Sequence, residues 1–258
     1  MPRGELRTTL APGEPRTSVR GNAAACDESG VRPHRARPPR HGPPVTNVPG
    51  SLPSVIPKDA MTVPRDREDL VARIDAGETF AYRLFWGHHP PQHGGVNHSC
   101  LSQWFVAPFT VEGITYPTAE HWMMAGKARL FGDESSLQKV LAAETPKQAK
   151  AIGRRVANFD DAAWRANARG IVESGNLAKF RQHPAMGDFL LGTGEEVLVE
   201  AAPRDCIWGI GLKREDARAR DPRQWRGKNL LGFALMAVRE RLRDAPAADA
   251  PAADAPAA

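Results

Sequence analysis

The two ends of this 258-residue chain carry too little apolar surface to build a core, which confines any fold to the middle. Residues 1–60 hold 11 of the 23 prolines, nine Lys/Arg and five acids with hardly an apolar run, and the chain closes on three copies of Asp-Ala-Pro-Ala-Ala starting at Asp244. Ordering such segments costs backbone entropy that burial does not return, so both are expected to be disordered. The remainder, residues 61–243, is the right size for one domain with a sizeable core and contains all six tryptophans. Met61 stands just before the first amphipathic segment and marks the expected start of the folded part.

Several classes of protein are excluded at this stage. No stretch approaches 18 consecutive apolar residues, so no membrane span is expected, and the N-terminal arginines lead into no apolar h-region of a secretory signal. Cys26, Cys100 and Cys206 are far apart and odd in number, which gives neither a disulfide framework nor a Cys-x-x-Cys metal pair and predicts a reducing, cytoplasmic setting. The net charge of +5 divides into +4 on residues 1–60, −3 on the tail and +4 on residues 61–243 (26 Lys/Arg against 22 Asp/Glu). Charges of the middle segment are interspersed, so a phosphate-bearing small molecule suits them as well as a polyanion.

Periodicity and punctuation predict an α+β, helix-rich single domain with a small sheet built from short strands and a hairpin. Helices are expected over 66–74, 118–130, after Asp133, after Thr145-Pro146, from Asp160 through Trp164 to Val172, over 184–191 and over 229–242. The alternating aromatic run 80–86 reads as a strand, residues 104–116 as a hairpin turning at Glu112-Gly113, and 196–200 and 206–210 as short β-like runs. No βαβ alternation of a doubly wound fold is present.

Standard motifs are mostly missing. There is no phosphate-binding P-loop or nucleophile elbow, and Glu120-His121 fails the zincin pattern because position 124 is Met. The loop with His88, His89, His93 and His98, with Cys100 beyond, offers donors at no recognised ligand spacing, so neither metal nor cofactor is expected. Glu120 is more informative. With Thr118 as N-cap it takes the second position of an exposed helix start, where free N–H groups favour a carboxylate, and Lys127 follows on the same face. A first-turn acid usually does no more than stabilise its helix, but this one sits between an aromatic hairpin and a lysine, surroundings that suit a planar, phosphorylated ligand. Trp164 alone would be core, and Asp205 before Trp208-Gly209 would be a turn. Lys228-Asn229 at a helix start is a plausible anion site.

Taken together, four segments resemble a known family. They are LSQWFVAPFTVEGITYPTAEHWMMAGKA, TPKQAKAIGRRV, WGIG and GKNLLGFALMAVRERL. In this order and spacing they are similar to the NADAR family of YbiA-like N-glycosidases over about residues 80–243. Two departures are Gln103, where the family usually has Asn, and a longer loop over 213–226.

The resemblance implies hydrolysis of an N-glycosidic bond, with the family's catalytic Glu at Glu120, its helical Trp at Trp164 and its acid before Trp-Gly at Asp205. Breaking a C1′–N bond builds positive charge on the ribose, which a fixed carboxylate stabilises while a second one activates water or assists the leaving nitrogen. Ser102, Trp104, Lys127, Arg154, Arg155, Trp208, Lys228 and Asn229 are the expected contacts to base, ribose and phosphate. The expected partner is a phosphorylated ribosyl-base small molecule, a ribosylaminopyrimidine intermediate of riboflavin biosynthesis that releases ribose 5-phosphate. Two alternatives stand beside it: an ADP-ribosyl hydrolase acting on modified guanine in nucleic acid, and a non-catalytic nucleotide-sensing module.

Overall fold

A computed structural model describes residues 63–244; the expectations for residues 1–60, for Met61 and for the repeats beyond Asp244 lie outside them. Among the described residues are seven α-helices and four short strands. α1 (Arg67–Asp75) starts where the Asp66 carboxylate accepts the Asp69 N–H at 2.8 Å, and β1 (Tyr82–Phe85) follows. β2 (Phe109–Val111) and β3 (Ile114–Tyr116) form the hairpin, its two turn residues Glu112 and Gly113 both at positive φ (51° and 77°), as a tight turn matching strand twist requires.

The next three helices are each opened by a side-chain cap. Thr118 caps α2 (Ala119–Leu130), Asp133 caps α3 (Glu134–Leu141), and a Thr145/Gln148 capping box with Pro146 in the first turn opens α4 (Pro146–Gly153). Asp160 caps the 22-residue α5 (Asp161–Gln182), and α6 (Pro184–Leu191), β4 (Val197–Glu200) and α7 (Leu230–Asp244) complete the chain. Asp244, expected to open the tail, is the last residue of α7.

The structure adds a strand pairing and removes an expected strand. β1 and β4 pair in parallel, Tyr82 opposite Val197 and Phe85 opposite Glu200, a contact between segments too distant for local patterning to reveal. Residues 206–210 form a bend, not a strand. The reason lies in their donors: Asp205 Oδ1 accepts the N–H groups of Ile207 (2.9 Å) and Trp208 (2.8 Å), so neither amide is free for a ladder.

α5 packs against both α2 and α7, and β4 lies against α7 with Val197, Leu198 and Val199 fully buried. The α2–α5 crossing is close because glycines face bulky groups across it. A Cβ on Gly175 would lie 2.2 Å from the Trp122 ring, and Trp122 Nε1 donates to the Ile171 carbonyl at 2.7 Å. This contact fixes the helix that carries Glu120. Gly175→Ala is therefore expected to overpack the crossing and cost about 1–3 kcal/mol in chemical denaturation, despite alanine's better helix propensity. A neutral or stabilising effect would show that the crossing yields freely.

Candidate active site

At the N-terminus of α2, Thr118 Oγ1 receives the His121 N–H and sits 2.8 Å from His121 Nδ1. His121 Nε2 lies 3.1 Å from the Ala143 carbonyl, an acceptor only, so Nε2 carries the proton and Nδ1 accepts from the threonine hydroxyl. Both nitrogens are thus occupied, and His121 ties α2 to the end of α3 instead of facing a ligand. The next-door Glu120 is directed the other way. Its N–H donates to the Gln103 carbonyl at 2.9 Å, and the residue, expected at an exposed helix start, is only 4% exposed. Burial pushes the Glu120 carboxyl above the usual carboxylate range, while the nearby Lys150 ammonium and a hydrogen bond with Trp104 pull it back.

The segment that meets Glu120 is held from beneath by α5. Lys179, fully buried, donates from Nζ to the carbonyls of Cys100 (2.6 Å) and Ser102 (3.2 Å), and Asn176 Nδ2 donates to Gln103 Oε1 at 2.8 Å. Burial lowers the Lys179 ammonium to about 8. Ser102 Oγ in turn accepts the Trp104 N–H at 3.1 Å.

Opposite this wall stands the β4–α7 joint. Asn229, fully buried at φ 56°, donates from Nδ2 to the Leu198 carbonyl (2.8 Å) and accepts the Glu200 N–H on Oδ1 (2.9 Å). Between the two walls lies a cavity of about 240 Å³, lined by Ser102, Gln103, Trp104, Glu120, Lys150 and Arg154 on one side. Glu200, Arg204, Asp205, Ile207 and Trp208 line the other.

Of the residues expected from sequence, Glu120, Asp205, Ser102, Trp104, Arg154 and Trp208 meet in this cavity. The others do not. Lys127 is buried with its ammonium 4.1 Å from the Phe159 ring centroid and 5.3 Å from that of Trp164, so lysine and tryptophan form a separate cation–π cluster farther along α2. Arg155 is exposed beyond the rim. The α7 N-terminus is not free for phosphate either. The N–H groups of Lys228, Asn229, Leu230 and Leu231 donate to the carbonyls of Cys206, Gly209, Ile207 and Trp208 at 3.0–3.2 Å, and the Lys228 side chain is exposed outside the cavity lining. Among the described residues no group of three or more His, Cys, Asp and Glu is arranged to hold a metal, and no helix is long and apolar enough to cross a membrane.

Glu200 and Lys150 were missed from sequence. Glu200 follows the apolar run Val197-Leu198-Val199, and a carboxylate at the C-terminal end of a buried strand is a recurrent ligand position that could have drawn notice. Lys150 lies within the TPKQAKAIGRRV segment, where nothing local separates it from a solvent-facing lysine.

The Asn229 joint has a measurable consequence. Asn229→Ala leaves the buried Leu198 carbonyl and Glu200 N–H without partners and places alanine at positive φ, so about 2–5 kcal/mol of stability is expected to be lost in denaturant unfolding. Near-native stability would mean that the joint is held by other contacts.

The chain has relatives among known proteins. The chain is 42% identical over 168 residues to N-glycosidase R617 of Acanthamoeba polyphaga mimivirus, covering 63% of this chain and 97% of that protein. It is 32% identical over 142 residues to N-glycosidase YbiA of Escherichia coli (strain K12), covering 55% and 80%. The NMR structure of the E. coli protein YbiA superposes with a TM-score of 0.52 at 27% identity, over 64% of this chain and 87% of that one. A model of the NADAR domain matches residues 84–243, the span that contains every residue lining the cavity, and the chain belongs to the NADAR domain family.

Proposed function

We propose that this chain is an N-glycosidase that hydrolyses the C1′–N bond of a phosphorylated ribosylaminopyrimidine, an intermediate type of riboflavin biosynthesis, releasing the base and ribose 5-phosphate. The glycosidase class follows the relatives, which are N-glycosidases at 42% and 32% identity. The observation that supports a small phosphorylated substrate is the cavity. At about 240 Å³ it is a little smaller than the usual small-molecule pocket, which leaves no room for a polymer, with a buried carboxylate at its wall and the exposed Arg154 and Arg204 at its edge.

In this reaction the Glu120 carboxylate faces the ribose and stabilises the positive charge that develops at C1′ as the bond to nitrogen stretches. The Glu120 N–H, bound to the Gln103 carbonyl, fixes this end of α2 before the substrate arrives. Asp205 keeps Oδ1 on the 207–208 backbone and uses its other oxygen to orient the attacking water. Trp208 and Trp104 flank the base, and the two arginines take the 5′-phosphate in place of Lys228.

Glu120→Gln is expected to lower kcat by ~100-fold or more while the protein stays folded, since removing a charge-stabilising group at a reaction centre has effects of that order and the amide keeps the shape. Turnover near that of the wild type on ribosylaminopyrimidine 5′-phosphates would remove Glu120 from the reaction. Arg154→Ala should raise KM by ~10-fold for the 5′-phosphorylated substrate and far less for its dephosphorylated form, the scale of one charge-assisted hydrogen bond. Lys228→Ala should change neither. Cleavage of ADP-ribosylated guanine by the wild type, with none of ribosylaminopyrimidine phosphates, would replace the substrate class.

A further inference from the structure

We propose that Glu200 is a catalytic residue, the general acid that protonates the leaving nitrogen. The inference rests on the N-glycosidase reading and extends it. As the C1′–N bond breaks, its electron pair passes to nitrogen, and nitrogen takes the carboxyl proton of Glu200. The water held by Asp205 forms the new O–C1′ bond and gives up one proton, and proton exchange with solvent restores Glu200. Substrate and water are thereby converted to free base and ribose 5-phosphate with atoms and charge balanced.

Three observations support this role. Glu200 lines the same cavity as Glu120 and Asp205, so three carboxyl groups share one small space. Its Oε2 is sealed from solvent and has no hydrogen-bond partner among the described residues. A carboxylate left that way is strongly disfavoured, whereas a carboxylic acid is tolerated. Finally, its backbone is held firmly, because the Glu200 N–H is bound by Asn229 Oδ1 and the Glu200 carbonyl accepts the N–H groups of Ala202 and Ile210, each at 2.9 Å.

The electrostatic setting agrees with the geometry. Burial first, then the Asp205 and Glu120 charges, raise the Glu200 carboxyl to about 8, against the opposing pull of Lys150 on α4. Arg154 and Arg204 line the same cavity, while the neighbours supplied by β1 and α7, Phe85 and Asn229, carry no charge. The group thus holds its proton at neutral pH, as a general acid must.

The test compares two ribose 5-phosphate substrates, one carrying an aminopyrimidine and one carrying 4-nitrophenoxide at C1′, which departs as a stable anion without needing a proton. Glu200→Gln is expected to lower kcat/KM by ~100-fold or more on the first and by less than ~10-fold on the second, the scale of general acid catalysis. Wild-type kcat/KM on the first should fall as pH rises through about 8, and this limb should be absent in Glu200→Gln. Glu200→Asp, which retains an acid, should recover part of the loss on the aminopyrimidine.

Folding gives an independent measure. A carboxyl raised from 4.5 to about 8 binds more protons folded than unfolded between those values, so wild-type stability falls as pH rises across that window. Glu200→Gln should therefore gain in Tm relative to wild type from pH 5 to pH 8. Equal losses on both substrates, no loss on either, or a Tm difference independent of pH would each overturn the assignment of Glu200. Wild-type protein that cleaves neither substrate would refute the ribosylaminopyrimidine reading, and the role given to Glu200 in it.

Discussion

One asparagine side chain holds half of the cavity in place. Asn229 bridges two backbone groups of β4, accepting from Glu200 and donating to Leu198, while its own N–H reaches the Gly209 carbonyl. The turn of chain around it is dense, because the first N–H groups of α7 are spent on the carbonyls of residues 206–209. Such proximity requires absent side chains: a Cβ on Gly232 would lie 2.0 Å from the Leu198 carbonyl, and one on Gly227 2.2 Å from that of Gly209. The Gly-Lys-Asn-x-Leu-Gly segment is thus a joint between strand, bend and helix, and from this joint Glu200, Asp205 and Trp208 all project toward the cavity.

The other half depends on a buried cation. Lys179 is fully buried, which costs solvation, and its ammonium is offset by two carbonyls and by the faces of Phe180 (4.9 Å) and Phe105 (6.0 Å). In return the 100–104 segment is fixed against α5, and with it the Gln103 carbonyl and Trp104 that orient Glu120. A lysine replaced by an apolar residue of similar volume would leave the Cys100 carbonyl without this partner and the wall of the cavity loosely held.

Between these supports the cavity gathers three carboxyl groups with few compensating contacts. Lys150 is the cation that offsets both Glu120 and Glu200, and one oxygen of Glu200 has no partner among the described residues. A region selected for stability alone would not bury charges this way. Sites that perform chemistry do, because groups held out of water and near like charges take proton affinities that exposed carboxylates lack.

The sequence by itself determined the helices and most of their starts. Thr118, Asp133, Thr145 and Asp160 were legible as helix starts because capping is a local bond between a side chain and an N–H three residues on. Glu120 and Asp205 were legible as well, one through its helix position and both through the resemblance of four ordered segments. Lys127 and Trp164 were legible only as a lysine and a tryptophan; that they pair with each other, away from the cavity, follows from how α2 packs near Phe159. The same holds for the α7 N-terminus, which as a sequence offers free N–H groups and in the fold has spent them on a neighbouring bend. Glu200 shows the division most clearly. Its place at the end of an apolar run was written in the chain, but its proton affinity depends on charges brought from α2, α4 and the 201–208 bend, and only tertiary packing sets those distances and excludes the water that would otherwise screen them.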